Sequence, residues 1–225
     1  MNKNLDSKTV ADFGAEWTRF DQTGMSEDEA GEQFERYFSV FPWEALPPEA
    51  VGFDLGCGSG RWARFAARRA HRLYCVDASP DALEVARKNL AAAKNVEFVN
   101  SSVDELPFED DSMDFGYSLG VLHHIPDTTA GIRSCVEKIK PGAPFLIYLY
   151  YAFDNRPAWF RAVWKISDFF RNLICSLPFG IKKIVTDLIA VFVYFPLARL
   201  AGLFEKLGFA VDSFPLSVYR VHSFY

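Results

Sequence analysis

VGFDLGCGSGRWARFAARRA, residues 51–70, decides the fold. Val51 to Leu55 is a short apolar run with an acid at its penultimate place, and it passes directly into Gly56-Cys57-Gly58-Ser59-Gly60. The segment that follows, RWARFAARRA (61–70), is rich in Ala and Arg and favours a helix. Strand, glycine turn and helix in that order open a βα unit. LYCVD (73–77) predicts a second strand. Ser79 and Pro80 then form an N-cap and first-turn pair in front of DALEVARKNLAAA, a strong helix start. VEFVN (96–100) and MDFGYSLG (113–120) predict two more strands, and TTAGIRSCVEKIK (128–140) a helix stopped by Pro141-Gly142. FLIYLYY (145–151) is a fifth strand, too continuously apolar to have a wet face, and is therefore expected at the centre of a parallel sheet with helices on both sides.

The expected architecture is α/β, a doubly wound and mostly parallel sheet, with a helical N-terminal lid and a helical insert after strand five. Residues 7–20 and 26–38 pattern as the lid helices, the second opened by a capping box of Ser26 and Glu29. Residues 157–175 and 181–207 pattern as helices kinked or split at Pro178 and Pro196. FEKLGFAVDSF predicts a helix end, a Gly stop and a sixth strand at 209–214, and LSVYRVHSFY is a candidate seventh strand, although Pro215 leaves little room for a turn. The divisions are thus a lid at 1–45, an α/β core at 46–153, an aromatic and basic insert at 154–207, and terminal strands at 208–225.

Composition narrows the function classes. Half the 225 residues are apolar and a quarter charged, which disfavours disorder, and a net charge of −5 disfavours a general nucleic-acid binder. Of 36 aromatic residues, 20 lie from Phe145 onward. Residues 155–206 carry a charge of +5, leaving −10 elsewhere, so an acidic chain holds a basic, greasy insert. Cys57, Cys75, Cys135 and Cys175 show no C-x-x-C spacing and no His at ligand spacing, so neither a metal site nor a disulfide framework is expected. MNKNLDSKTVADFG has no apolar core of an export signal, and a cytoplasmic location is expected. The longest uncharged apolar run, Leu188 to Ala198, is too short to span a bilayer.

The glycine spacing is G-x-G-x-G. A nicotinamide or flavin fingerprint needs a glycine at 61, where Arg61 stands. Glycines here allow a tight turn and close approach of backbone to ligand, with the first amides of the next helix aimed at it. Asp77, at the end of the second strand, suits a ribose, because an acid there can accept both hydroxyls. Asp54 before the loop is the nearest carboxylate for a positive charge. Together they describe a pocket for an adenosine with a positively charged tail.

VGFDLGCGSGRWA, with LYCVDAS and VDELPFEDDSMDFGYSLGVLHHI, resembles the class I S-adenosylmethionine-dependent methyltransferases, nearest to the small-molecule enzymes of the ubiquinone and menaquinone type, over about residues 51–151. FGAEWTRFD (13–21) is similar to the N-terminal lid of some of them. The resemblance implies that Gly56, Gly58 and Gly60 bracket the methionine part of S-adenosylmethionine, with Cys57 offering backbone, and that Asp77 holds the ribose. It places Ser102 where many relatives have an acid for the adenine amino group, with Val103 contributing its amide. Ala78 and Leu119 join the same set, and Trp17 can shield the sulfonium by cation–π contact. No metal is implied, and the product would be S-adenosylhomocysteine.

Methyl transfer needs nucleophile, methyl carbon and sulfur in line, so positioning and exclusion of water can supply most of the acceleration. A general base helps only if the acceptor must lose a proton, and His124, before His123, is the candidate. The implied acceptor is a small molecule, partly apolar or lipid-linked. The competing function is a non-catalytic S-adenosylmethionine-binding module that docks on a membrane or protein. Ile181, Ile184, Val185, Leu188 and Phe192 face away from Lys182, Lys183 and Asp187. For 155–207 this leaves three uses open beside ordinary core packing: an acceptor lid, peripheral membrane contact and a homodimer face.

Overall fold

In a computed structural model the described residues are 4–20, 24, 26–150, 153, 155–211 and 217–221. The chain divides into two compact units, Met1–Tyr151 and Ala152–Tyr225.

The first unit opens with α1 (Ser7–Arg19), capped by Asp6, and α2 (Glu27–Tyr37), capped by Ser26 accepting from the Glu29 amide. There follow β1 (Val51–Leu55), a single turn α3 (Ala63–Ala66), β2 (Arg72–Asp77), α4 (Pro80–Asn89), β3 (Val96–Asn100), β4 (Phe115–Leu119), α5 (Thr128–Lys138) and β5 (Phe145–Tyr148). Ser79 accepts from the Ala82 amide and Pro80 stands in the first turn, so α4 starts where its sequence predicts. The five strands form a parallel sheet of order β3-β2-β1-β4-β5. The order reverses between β1 and β4, and a ligand crevice is expected beyond the carboxyl ends of the strands at such a switch point.

Period-2 alternation sends residues to two cores. Phe34, Phe38, Trp62, Cys75, Phe115 and Tyr117 pack on one face; Phe53, Leu55, Val76, Met113, Leu122 and Cys135 pack on the other. The expectation for β5 is corrected here. Among the described residues β5 pairs only with β4, is four residues long, and Tyr148 is exposed. Its apolarity has another cause: Leu146 packs on one core and Phe145 and Ile147 on the other, so both faces are covered although the strand is lateral. The helix predicted at 61–70 is also shorter, one α-turn followed by a 3-10 turn at Ala67–Arg69.

The second unit contains α6 (Ala158–Cys175), α7 (Phe179–Ile189), a π-helical turn (Ala190–Tyr194), α8 (Phe195–Lys206) and a 3-10 turn (Ser217–Val221). Pro178 is the N-cap of α7, as a helix boundary requires. Pro196 does not split the chain; it sits in the first turn of α8 directly after the π-turn, whose wider winding accommodates a residue with no N–H to donate. The helical run Gly180–Lys206 is therefore 27 residues long and apolar enough, by length and composition, to cross a membrane. Counting only the uncharged run Leu188 to Ala198 misses this. The sixth strand predicted at 209–214 is corrected over its described part, since residues 209–211 form no strand, and its remainder 212–214 lies outside the described residues; of the candidate seventh strand residues 217–221 are a 3-10 turn.

Candidate active site

The cavity of the first unit lies beyond the ends of β1 to β4 and encloses about 150 Å³. Leu55 and Gly56 line it from β1, Asp77 and Ala78 from β2, Ser101, Ser102 and Val103 from the end of β3, and Leu119 to Leu122, His124 and Ile125 from the end of β4. Helix α1 roofs it with Thr9, Val10, Phe13 and Trp17, and the segment before the helix adds Asn4, Leu5 and Asp6.

The glycine turn is pinned to β2. The amides of Gly56 and Cys57 both donate to the Val76 carbonyl at 2.7 and 3.1 Å, and the Gly58 amide donates to Asp77 Oδ2 at 2.9 Å. Asp77 Oδ1 accepts from the Ser79 amide at 2.9 Å. Burial raises the Asp77 carboxyl above its ordinary value, opposed by these amides, chiefly those of Ser79 and Gly58. Each carboxylate oxygen can accept a further bond, so the group keeps capacity for ligand hydroxyls.

Gly58 has φ +54°, and a Cβ built there would stand 2.8 Å from the Trp17 indole. Trp17 therefore lies flat on bare backbone, a cradle that any side chain at 58 would fill. Gly60 has a different reason to be glycine: a Cβ would meet Leu90 Cδ1 at 2.7 Å, so its bareness serves the packing of α4, and it does not line the cavity.

His124 lies in the cavity wall with its ring edge-on to Phe13 at 5.0 Å and beside His123 at 4.1 Å. Burial lowers its pKa, so the imidazole is neutral at pH 7 with a lone pair to offer. His123 is sandwiched against Tyr150 at 4.1 Å, and neither of its ring nitrogens has a hydrogen-bond partner.

Of the residues singled out in the sequence, the cavity wall brings together Trp17, Gly56, Asp77, Ala78, Ser102, Val103, Leu119 and His124. Asp54 is not among them. It is 1% exposed and points to the opposite face of β1, against Tyr117, and burial pushes its carboxyl up to about 8, partly opposed by the Tyr117 hydroxyl. Cys57 is likewise buried away from the cavity, next to Cys75, with its thiol pushed well up. Gly58 meets the site through its amide on Asp77 and through Trp17, rather than through the wall.

Asn4 is a residue that motif reading passes over. Its backbone amide donates to the Asp104 carboxylate, its side-chain amide donates to the Asp127 carbonyl at 2.7 Å, and its side-chain oxygen accepts from the Asp127 amide at 2.7 Å. The chain before α1 is thereby tied across the crevice to the segments after β3 and before α5. The roof face itself has a sequence signal: Leu5, Thr9, Phe13 and Trp17 recur every four residues, one stripe of a helix.

Comparison with known proteins agrees with this geometry. The family model "Methyltransferase domain" matches residues 53–147. The chain is 33% identical over 103 residues to a ubiquinone biosynthesis O-methyltransferase of Xanthomonas axonopodis pv. citri, covering 45% of this chain and 43% of that protein. A second such enzyme, from Xanthomonas campestris pv. campestris, is 33% identical over 105 residues, covering 46% and 44%. The chain thus spans less than half the length of the curated relatives it matches. A structure of Haemonchus contortus phosphoethanolamine N-methyltransferase 1 superposes with a TM-score of 0.51 at 13% identity, over 62% of this chain and 32% of that one, and so shares the fold. The matched stretch contains the glycine turn, Asp77, Ser102 and His124, and over these residues the chain is similar to methyltransferase domains.

Proposed function

We propose that the chain binds S-adenosylmethionine in the cavity under α1 and transfers its methyl group to a hydroxyl of a small, partly apolar acceptor. The observation that carries this is the meeting, in one wall, of a glycine turn, a buried acid at the tip of β2 and a neutral histidine. S-adenosylmethionine supplies an electrophilic methyl on a sulfonium. Asp77 would accept the ribose hydroxyls, Ser102 and the Val103 amide would meet the adenine edge, and Trp17 would cover the turn and exclude water. Helix α1 lies over the cavity, so the cofactor would be covered by Phe13 and Trp17.

His124 would accept the proton of the attacking hydroxyl. The names of the curated relatives support an oxygen acceptor, and the apolar rings of Phe13 and Tyr150 around His124 support an aromatic one. A cytoplasmic setting belongs to the same proposal and is supported by four free cysteines.

The test is calorimetric titration of the full chain with S-adenosylhomocysteine, followed by turnover with substituted phenols. Saturable binding with S-adenosylhomocysteine release is expected, and His124→Gln should keep binding while removing the acid limb of the rate profile. That limb should lie below the ordinary histidine value of 6.5, since burial lowers the His124 pKa. Binding without release from any phenol, amine or acidic carbon would instead describe a non-catalytic cofactor-binding module.

A further inference from the structure

We propose that the unit Ala152–Tyr225 is a lipid-binding element whose helices lie in the plane of an anionic bilayer surface, with apolar stripes in the acyl boundary and basic side chains at phosphate level. The inference rests on the second unit alone and does not depend on the reaction of the first.

No residue of α6 is buried. Trp159, Val163, Ile166, Phe170 and Leu173 form a stripe at alternating spacings of four and three, each between 54% and 61% exposed. Opposite them run Arg161, Lys165, Asp168 and Asn172, with Arg171 bonded to Asp168 at 2.5 Å. Aromatic and aliphatic residues on one face and basic ones on the other describe a helix that lies in a membrane interface. In the helical run Gly180–Lys206 the most apolar stretch is only 11% buried. Ile181, Ile184, Leu188 and Phe192 again face away from Lys182 and Lys183 and are 50–72% exposed. Water-soluble monomers rarely leave so continuous an apolar surface uncovered.

Charge selects the lipid. Residues 152–225 carry nine basic side chains against five acids, whereas residues 1–151 carry fifteen against twenty-four. The basic excess thus belongs to the apolar unit, and it complements phosphate-rich, anionic headgroups.

An orientation in the plane fits better than a crossing. Although the run Gly180–Lys206 is long enough to cross, it carries charges at Lys182, Lys183, Asp187, Arg199, Glu205 and Lys206, and each charge placed in a hydrocarbon core is costly, whereas a helix in the plane keeps them at the headgroups. Glu205 is held by Arg220 of the 3-10 turn through two bonds of 2.9 Å, and Ala198 and Ala201 are buried, so the end of α8 has its own polar and apolar cover.

The experiment is flotation of the full chain with vesicles of phosphatidylcholine alone and of phosphatidylcholine mixed with phosphatidylglycerol. Flotation is expected with the mixed vesicles and should weaken in high salt. Phe192→Glu, at a position 72% exposed and so harmless to folding, should release the protein. Lys182→Glu with Lys183→Glu should weaken binding by about tenfold or more. Cys175 is the exposed member of the four free cysteines, and a fluorophore placed on it should lose access to an aqueous quencher when mixed vesicles are added. Failure to float with either vesicle, unchanged quenching at Cys175, or a discrete dimer that buries these stripes and no longer floats would each overturn the proposal.

Discussion

Asp54 and Leu55 are chain neighbours on opposite faces of β1, because successive side chains of a strand alternate. Leu55 lines the cavity, whereas Asp54 is shut in beside the Tyr117 hydroxyl. With a carboxyl raised from 3.8 to about 8, the folded protein holds a proton that the unfolded chain has released. Its stabilising effect is complete below pH ~4 and is lost as pH rises toward 8, at up to ~1.4 kcal/mol per pH unit. Asp54→Asn, neutral at every pH, should flatten that slope, and urea midpoints measured from pH 5.5 to 8 will show it; equal slopes in both proteins would place the proton elsewhere. Asp77 differs because it faces the cavity and holds two backbone amides. Asp77→Ala should weaken S-adenosylhomocysteine binding by ~1–3 kcal/mol, about 5- to 150-fold, with calorimetry as the readout and a melting curve to confirm the fold. Unchanged affinity would remove Asp77 from the site.

Helix α1 roofs the cavity, and its position depends on Asn4, which spans the crevice through three hydrogen bonds to Asp104 and Asp127. Asn4→Ala removes the two made by the side chain, worth ~0.5–1.5 kcal/mol each, and so should raise the open population by roughly tenfold. Stopped-flow mixing with S-adenosylhomocysteine is expected to show a faster on-rate in the variant, with an equal rate in both proteins meaning that entry does not pass under α1. This strap is not legible in the sequence, since it joins residues 100 and 123 positions apart by contacts no local pattern encodes. The strands were legible to within about three residues because apolar runs alternate with glycine and proline stops. Strand order was not: β5 reads as central because its two faces are both apolar, and coverage of faces is a different property from the number of neighbouring strands. At the site, Gly56, Asp77 and His124 line the cavity, while the facing of Asp54 toward Tyr117 and the packing of Gly60 against Leu90 depend on contacts between elements that a local pattern does not encode.

At the scale of the molecule the two units divide the physics. Every residue of the cavity lies in Met1–Tyr151, a unit with an all-parallel sheet and two dense cores, while Ala152–Tyr225 is helical and leaves most of its large apolar side chains exposed. A ligand stabilises what it touches by RT ln(1 + [L]/Kd), about 2.7 kcal/mol at a hundredfold excess over Kd. S-adenosylhomocysteine at that excess should therefore slow amide exchange in residues 4–19, 55–60, 76–79 and 101–125 and leave 158–206 as it was. Vesicles containing phosphatidylglycerol should do the reverse. Hydrogen exchange read by mass spectrometry separates the two cases peptide by peptide. If the cofactor product alone protects α7 and α8, the helical unit belongs to the machinery of methyl transfer; if vesicles alone protect the glycine turn, lipid and cofactor sites are energetically coupled, and by linkage the cofactor must change lipid affinity by the same factor.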